Sequence, residues 1–524
     1  MATTRPEARR AARFALASAS AVALSSIGAA AEAATSPPLQ PTFTVSAVAT
    51  DNSELTTADQ RRSDVIGDVD AGLIVRSHGA RVTLTGDIGL EFVGYARHGE
   101  PTRVLPRGRL DLDATLAEHL LFFEGELGAV RTRSDPLAAQ YDGPSTANTV
   151  STVSVRASPY LAHDFSPTLS ASARSDTTIT RNKSDDTTAI AAPEGSTYQH
   201  DVVDIVRKPT PFGFSIDGLH DDTTYQDDAA SVLRTDSLQA TLSAALDSDL
   251  QVGIEGGHEH AVYTGIGQND TTYGAVLQWH PSQRTSFDAD AEHHYFGTGW
   301  NLHLRDRLPY SAVELSFTRA ASASAVAFGL TGPDSDPAAL LGAVLSSRTP
   351  DAASAATTDH VVDSATQGGN VPASFAQPLQ ISSESAQLAT RAALNLLYNG
   401  VRNSVYASVY YQKAVALPGA APTPSANTFD SRQLGGSLGL YHRLMPDVSA
   451  AAEVEWSAID ALGTRSGDSS HQTTETLSLT RRLGPRASLS CGLRHFASHV
   501  VLNSASTTTD VRENQVFAGL RVQY

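Results

Sequence analysis

The sequence predicts an all-β fold: one transmembrane, antiparallel, up-and-down β-barrel of about 22 strands, within about 18 to 24. Three observations predict it. Apolar and polar residues alternate along many segments, short and long connections alternate between those segments, and the chain ends on a strand with a terminal aromatic residue. The predicted organisation is a signal peptide at residues 1–33 followed by an outer-membrane barrel at residues 34–524.

Composition narrows the class of protein. The chain has 524 residues, of which 41% are hydrophobic and 18% charged, so it is not a charge-rich disordered chain. A formal net charge of -18 argues against a nucleic-acid partner, because phosphate binding depends on clustered Lys and Arg. The single cysteine, Cys491, allows neither an internal disulfide nor a Cys-rich metal site. The sequence predicts no cofactor and no metal.

The N-terminus has the three parts of a cleavable export signal. Arg5, Arg9, Arg10 and Arg13 form a positive region, residues 14–30 supply an apolar stretch, and residues 31–33 read Ala-Glu-Ala, a small-x-small cleavage site. Beyond it, no stretch offers the roughly 20 apolar residues that a spanning helix needs. The sequence therefore predicts export through the inner membrane to the outer membrane of a Gram-negative cell.

Period-two alternation recurs along the chain. In residues 82–92 the even positions are apolar or glycine and the odd positions are mostly Thr, Asp and Glu, which predicts a strand with one apolar face. The same pattern is found at 110–116, 238–246, 273–279, 287–292 and 448–456. On a helix the charges would be distributed around the surface, whereas on a strand they share one side.

Alternation alone also fits a secreted β-sandwich or β-helix, so the connections have to discriminate. Short links are predicted at 77–80, 117–120, 208–211, 247–249, 280–283, 305–309, 399–403, 444–447 and 483–485. Long polar links lie between them at 131–148, 175–196, 220–231, 320–383, 414–430 and 462–470. Short periplasmic turns at one end and long extracellular loops at the other are typical of an outer-membrane barrel.

Aromatic residues predict two girdles at the membrane interfaces. The girdle beside the short turns is Trp279, Tyr310, Tyr398, Tyr441 and Tyr524. The girdle beside the long loops is Tyr95, Tyr198, Tyr263, Tyr273, Tyr295, Trp300 and Tyr410. Phe517 is the exception, because its position in the last strand assigns it to the lumen.

The C-terminal strand carries an assembly signal. Residues 516–524 alternate in polarity and the chain ends on Tyr524. This resembles the terminal signal that the barrel-assembly machinery recognises, with Gly519, Val522 and Tyr524 at the glycine and the two hydrophobic positions. Phe517 stands where that pattern usually has a polar residue.

The first hundred or so mature residues carry a more specific resemblance. The motifs are Thr-Asp-Asn-Ser-Glu-Leu at 50–55, Ser-Asp-Val at 63–65, Gly72-Leu73, Arg81 with the strand to Tyr-Ala-Arg at 95–97, and Leu-Leu-Phe-Phe at 120–123. They resemble the opening of the outer-membrane β-barrel family associated with exosortase (PEP-CTERM) systems, which has a proline where this chain has Ala71. The resemblance implies a setting in exopolysaccharide or protein export and polysaccharide export components as partners.

No enzyme motif stands in the context that its chemistry requires, so no catalytic residue is predicted. Residues 435–439 spell Gly-x-Ser-x-Gly, but that motif acts at a strained strand-to-helix turn and here lies in an alternating strand. His258 and His260 share a strand face without the helical spacing of a zinc protease. Cys491 falls on an apolar face and is predicted to face the membrane.

Two functions follow from a barrel of this size. In the first, it is a porin-like conduit whose lumen is wider than side chains can fill, restricted by the 320–383 segment as a lumen-inserted loop. In the second, it is a non-conducting structural or assembly component that binds polysaccharide or partner proteins through its loops, with 320–383 as a surface loop. The other expected partners are outer-membrane lipid, lipopolysaccharide and the barrel-assembly machinery.

Acidic residues predominate among the polar positions expected to face the lumen, which favours cations over anions. The residues predicted to contact solute are Asp87, Glu91, Arg109, Asp111, Asp113, Asp288, Asp290, Glu292, Glu453 and Glu455.

Overall fold

A computed structural model describes residues 39–97, 102–133, 137–139, 149–184, 195–225, 231–263, 265–323, 337–348, 362, 371–372, 374–379, 386–417 and 430–524. The predicted signal peptide, residues 1–33, lies outside the described residues. Within them the chain is almost entirely β-structure, as the recurring period of two predicts.

The described chain contains 22 strands, the number that the alternation predicts. They are β1 (Leu39–Thr50), β2 (Asp64–His78), β3 (Val82–Tyr95), β4 (Arg103–Ala117), β5 (Leu121–Arg133), β6 (Thr149–Ser166), β7 (Leu169–Ser184), β8 (Gly195–Arg207), β9 (Phe212–Tyr225), β10 (Ser231–Ala245), β11 (Leu250–Tyr263), β12 (Ile266–Trp279), β13 (Thr285–His294), β14 (Gly297–Arg307), β15 (Ser311–Ala323), β16 (Ala386–Asn399), β17 (Asn403–Ala416), β18 (Ser431–Met445), β19 (Val448–Ala461), β20 (Ser469–Gly484), β21 (Ala487–Leu502) and β22 (Thr507–Gln523).

The strands form one closed sheet. Each strand pairs antiparallel with the next along the chain, and β1 pairs antiparallel with β22, from Thr42 opposite Gln523 to Thr50 opposite Gln515. Because the first and last strands pair, the sheet has no free edge. The predicted antiparallel, up-and-down barrel is confirmed.

The two ends of the barrel differ in their connections. At the end that holds both termini of the sheet, the connections are two to five residues long; we call it the short-turn end. At the opposite end the connections include 51–63, 134–148, 324–385 and 417–430. Two connections there are nevertheless only two residues long: 264–265 and 295–296. The backbone N–H of Tyr295 donates to the Glu259 carboxylate, and Gly297 adopts a φ of 95°, which together stabilise the second tight turn.

One α-helix of 12 residues, α1 (Pro337–Arg348), lies in the connection between β15 and β16. Two single-turn 3₁₀ helices, Gly463–Arg465 and Asn503–Ala505, occupy the last two connections at the far end. None of the helices in the described part of the chain has both the length and the apolar character to span a membrane.

Candidate functional site: the barrel lumen

Contacts that skip strands identify the inner face of the barrel. Gln239 on β10 donates to Glu292 on β13, and Arg521 on β22 lies 3.9 Å from Asp87 on β3. Such contacts form across the concave side of a closed sheet, because on the convex side neighbouring side chains diverge. Every second residue of a strand points to the same side, so the register between paired strands extends this assignment around the whole barrel.

The opposite face is apolar and exposed. It carries Leu242 at 63% exposure and Ile254 at 66%, and the same face continues through Leu238, Leu477, Leu493 and Val516. Cys491, which is exposed, pairs in register with Leu479 and Ala518 on this face. Large apolar side chains on the outside and polar ones on the inside are the reverse of a soluble barrel.

Strand register puts all ten residues predicted to contact solute on the inner face. They are Asp87 and Glu91 on β3, Arg109, Asp111 and Asp113 on β4, Asp288, Asp290 and Glu292 on β13, and Glu453 and Glu455 on β19. Contact with solute stays a prediction. The ten residues fall into three groups with different surroundings: those on the adjacent strands β3 and β4, those on β13, and those on β19.

The group on β3 is paired with arginine. Arg107 of β4 donates to Asp70 of β2 at 2.6 Å and to Asp87 at 3.1 Å, so one guanidinium bridges two carboxylates. Glu91, which is buried, lies 2.7 Å from the guanidinium of Arg131. The negative charge of these carboxylates is therefore largely compensated at short range.

The group on β4 belongs to the same network. Arg109 donates to Asp111 at 2.8 Å and lies 3.3 Å from Glu126, while Arg156 lies 3.2 Å from the same Glu126 oxygen. Asp113 is exposed on the same face. The wall from β2 to β7 thus carries interleaved charges of both signs.

The group on β13 lies in an acidic sector. Asp290 and Glu292 share the inner face with Glu255 and Glu259, which lie two strands away on β11. His294 approaches Glu259 at 3.0 Å and Glu292 at 3.3 Å. Among the described residues, the ion pairs of these four carboxylates are with His294, not with arginine or lysine. This sector therefore sets four carboxylates against one imidazole, and it borders a cavity of about 570 Å³ lined by Glu259, Asp290, Glu292 and His294.

Helix α1 lies inside the barrel. Leu340, Leu341 and Val344 are buried in one cluster with inward residues of the wall, including Ala312 at the start of β15 and Leu397 near the end of β16. Both wall residues are close to the short-turn end. The described part of the 320–383 segment therefore reaches through the lumen and packs against the β14–β16 wall.

A second part of that connection is hydrogen-bonded to the wall. We call residues 371–379, of which 371–372 and 374–379 are described, the inner strap. The Ala376 N–H donates to Ser408 Oγ at 3.0 Å, and the buried Gln433 side chain accepts from Leu379 N at 2.7 Å and donates to Leu379 O at 2.9 Å. The Phe375 ring packs 6.3 Å from that of Tyr406.

Two other connections also enter the lumen. Leu137 is buried against Ile459 on the inner face of β19, and Gln472 donates to Ala138 O at 3.1 Å. In the first connection Leu55 is buried against Phe496 and Val511. The described parts of three connections thus occupy the lumen along β14 to β22.

The third predicted group, Glu453 and Glu455 on β19, lies beside the inner strap. Glu453 accepts a hydrogen bond from the Tyr441 hydroxyl. Both glutamates line a cavity of about 300 Å³ whose other side is formed by Pro372 and Ser374 of the inner strap. This places them in a partly enclosed chamber, unlike the carboxylates on β3 and β4.

The Gly-x-Ser-x-Gly motif has a structural role in β18. Gly435 and Gly439 face the lumen, where a Cβ on Gly435 would lie 2.5 Å from Tyr410 Oη and one on Gly439 would lie 2.8 Å from Tyr441 Cε2. The glycines make room for inward tyrosine rings. Ser437 Oγ lies 2.8 Å from Ser408 Oγ, and the motif stands in a regular strand, as the sequence predicts.

The other discounted motif divides between the two faces. His258 and His260 share the outward side of β11, whereas Glu259 points into the lumen and binds His294. In the part of the chain that the structure describes, no group of three His, Cys, Asp or Glu residues could hold a metal ion.

The predicted aromatic girdles are only partly right, since four of the nine girdle residues that lie in strands face outward. Trp279, Tyr398, Tyr273 and Trp300 lie on the outward face. Tyr441, Tyr95, Tyr198, Tyr263 and Tyr410 have the opposite parity and point into the lumen, and Tyr263, Tyr410 and Tyr441 are buried there. Position next to a turn does not determine the face, since a wide lumen with inserted segments also buries aromatic rings.

Four residues that hold the inner strap or line its cavity were not predicted from the sequence: Tyr406, Ser408, Gln433 and Gln472. Their inward parity was available from the alternation, because each lies in a strand with a readable period of two. Their hydrogen-bond partners could not be read from the sequence, because these partners lie 32 to 334 residues away in connections without a regular period.

No protein-family model matches the chain, and no curated protein matches it. Solved structures similar to it include the ferric-catecholate import receptor Fiu of E. coli K12, with 8% identity, 92% of this chain and 81% of that chain covered, and a TM-score of 0.46. The siderophore receptor PiuA of Acinetobacter baumannii gives 6% identity, 92% and 82% coverage and a TM-score of 0.42. OpdK of Pseudomonas aeruginosa, solved with vanillate, gives 9% identity, 93% and 99% coverage and a TM-score of 0.34.

We expect Gly435→Val to destabilise the barrel by about 1–3 kcal/mol, because the new side chain overlaps Tyr410 and the Trp456 carbonyl. The measurement is the midpoint of heat-modifiable gel migration of the purified protein. Gly67→Val is the matched control, since a Cβ at Gly67 meets nothing within 4 Å. Equal midpoints for the two variants would contradict the packing role of Gly435.

Proposed function

We propose that this chain is an outer-membrane β-barrel that conducts small solutes through a lumen narrowed by its own inserted segments. One observation carries the proposal: a closed wall of 22 strands has an exposed apolar outer face and a polar, charged inner face. A closed barrel satisfies its backbone hydrogen bonds within the wall, as lipid requires. The inner face then provides a hydrated path.

The outer membrane is the location that the outward face supports. Leu238, Leu242 and Ile254 each expose more than half of their surface on neighbouring strands. Toward the long-connection end of the same strands the outward face turns polar at Asp236 and His258. An apolar outward face that gives way to polar residues toward the end of the barrel is typical of bacterial barrels that cross lipid.

We expect Leu242→Arg to destabilise the folded barrel in lipid vesicles by about 2–4 kcal/mol, because the guanidinium would enter the hydrocarbon. Thr241→Arg, one residue earlier and inward, is the control and should cost much less. Urea unfolding in vesicles, followed by tryptophan fluorescence, measures the difference. A larger loss for Thr241→Arg would contradict the assignment of the two faces.

The inserted segments support a restricted conduit over an open pore. A barrel of 22 strands encloses more space than its wall side chains fill. Here α1 and the inner strap occupy the β14–β18 side, and residues 55 and 137–139 lie over β19–β22. The wall from β2 to β13 faces what remains of the lumen.

We expect deletion of residues 326–383, replaced by a short Gly-Ser linker, to raise single-channel conductance severalfold in planar bilayers, because α1 and the inner strap leave the lumen. Shortening the 463–467 turn, in which residues 463, 464, 466 and 467 are exposed, is the control and should leave conductance unchanged. Unchanged conductance after the first deletion would remove 326–383 as the constriction. A folded wild-type barrel that never conducts would favour the structural or assembly role instead.

The acidic sector supports a preference for cations. The carboxylates of Glu255, Asp290 and Glu292 share His294 as their cationic neighbour, whereas Asp87 and Asp70 share Arg107. An uncompensated charge on a lumen wall raises the local concentration of counter-ions.

We expect the triple variant Glu255→Gln, Asp290→Asn, Glu292→Gln to reduce cation preference, read from the reversal potential under a salt gradient. The matched control is Asp201→Asn, Asp222→Asn, Asp236→Asn, which removes the same charge from the outward face of neighbouring strands. An anion preference in the wild-type protein, or equal shifts in the two variants, would refute the assignment.

The setting in exopolysaccharide or protein export stays a prediction of the sequence resemblance, as does recognition of Gly519, Val522 and Tyr524 by the assembly machinery. Gly519 lies inward in β22 and Val522 outward, while Tyr524 follows the strand and donates its N–H to Pro41 O at 2.9 Å. The terminal residues therefore also contribute to closure of the barrel.

A further inference from the structure

The cavity of about 300 Å³ beside Glu453 and Glu455 is bounded on two sides by different parts of the chain. Strands β17 to β21 supply one wall, including Tyr406, Gln472 and Arg494. Pro372 of the inner strap belongs to the other wall. The volume is at the lower end of the range for small-molecule pockets, so it suits one small molecule.

Both walls of this cavity are fixed by hydrogen bonds. Ser408 Oγ joins Ser437 Oγ at 2.8 Å and accepts from Ala376 N at 3.0 Å, which ties the wall to the inner strap. Gln433, which is fully buried, binds both the N–H and the carbonyl of Leu379. The cavity is therefore formed before any ligand arrives, which lowers the entropic cost of binding.

Two buried polar atoms lie on side chains that line the cavity. The Tyr406 hydroxyl, on a residue only 2% exposed, has no hydrogen-bond partner among the described residues. The same holds for Oε1 of Gln472, a residue 6% exposed whose Nε2 is held by Ala138 O and Ser470 Oγ. Buried polar groups are rarely left unpaired, so the cavity calls for a guest that both accepts and donates hydrogen bonds.

The charged groups around the cavity disfavour a simple ion. Glu453 and Glu455 oppose an anion, and Arg494 opposes a cation. Arg494 is itself placed by a hydrogen bond from Nε to Thr476 Oγ1 at 3.3 Å and by the Phe517 ring at 5.6 Å. A neutral hydroxyl group suits all of these neighbours, because it donates to a carboxylate and accepts from a guanidinium.

We propose that this cavity binds a small neutral polyhydroxylated molecule, either a monosaccharide ring or an open-chain polyol. The Tyr406 hydroxyl and the Gln472 amide oxygen supply one donor and one acceptor, and the two glutamates and Arg494 supply the charge-assisted bonds. The ring of Tyr406, 5.4 Å from that of Tyr441, adds an aromatic surface for the carbon skeleton. The proposal rests on the proposed function for the solute's route into the lumen.

Saturation-transfer difference NMR on the full chain in detergent micelles tests binding directly. The probes are methyl α-glucopyranoside for the ring, sorbitol for the open chain, and putrescine and succinate as charged molecules of similar size. We expect signals from at least one hydroxylated probe and none from the charged ones. Signals from both hydroxylated probes indicate shared hydroxyl chemistry, and signals from one alone identify the ring or the chain as the ligand.

Tyr406→Phe removes only the hydroxyl group. It should weaken the affinity for the hydroxylated probe, measured by titrating the same signal, about five- to tenfold, which corresponds to the loss of one hydrogen bond. Tyr411→Phe, on the outward face of the same strand, is the control and should bind like the wild type. Heat-modifiable migration verifies that both variants fold. Silence of both hydroxylated probes, binding of a charged probe instead, or equal affinities in the two variants would overturn the proposal.

This test separates the binding site from the conduit. Binding by a barrel that does not conduct in planar bilayers would overturn the proposed function and leave the site. Conductance without binding would overturn the site and leave the proposed function.

Discussion

Pairing of β1 with β22 is the constraint on which the rest of this structure depends. Nine residue pairs, from Thr42–Gln523 to Thr50–Gln515, join the two ends of the sheet. Without them two strands would expose unpaired N–H and C=O groups, which lipid cannot satisfy. Closure also gives the sheet a concave side, and that side decides what each alternate residue meets.

Because the concave side is shared, residues several strands apart become neighbours. Gln433 of β18 binds the connection that follows β15. Arg107 of β4 bridges Asp70 of β2 and Asp87 of β3. The wall thus supplies polar partners to chain segments that enter it, so their backbone groups remain hydrogen-bonded when they leave water. This is how a lumen too wide for wall side chains is partly filled by unpatterned sequence.

The sequence predicts the wall well and its contents poorly, for a physical reason. A period of two follows directly from strand geometry, so the fold, the strand number and the inward parity of Asp87 or Glu453 are readable from local residues. The inner strap has no such period. Its position depends on individual hydrogen bonds, such as the one between the Leu379 N–H and the Gln433 side chain, two residues that are 54 positions apart in the sequence.

The aromatic residues show the same limit. Tyr398 and Tyr410 belong to adjacent strands and each was assigned to a girdle from its distance to a turn. Only Tyr398 is outward, while Tyr410 is inward and fits because Gly435 opposite it lacks a side chain. Here the pairing of a tyrosine with a glycine across strands is more informative than position along one strand.

Charge is the property for which register matters most. Asp87 and Asp290 are indistinguishable by local pattern, since both are inward acids on alternating strands. Asp87 meets a guanidinium that already holds a second carboxylate, whereas Asp290 faces Glu255 and Glu292 with one shared imidazole. A count of acidic residues therefore overstates the uncompensated negative charge on β2–β7. It understates how strongly that charge is concentrated on β11–β13. An ion in the lumen responds to that local imbalance, because paired charges cancel within a few ångströms and unpaired ones do not.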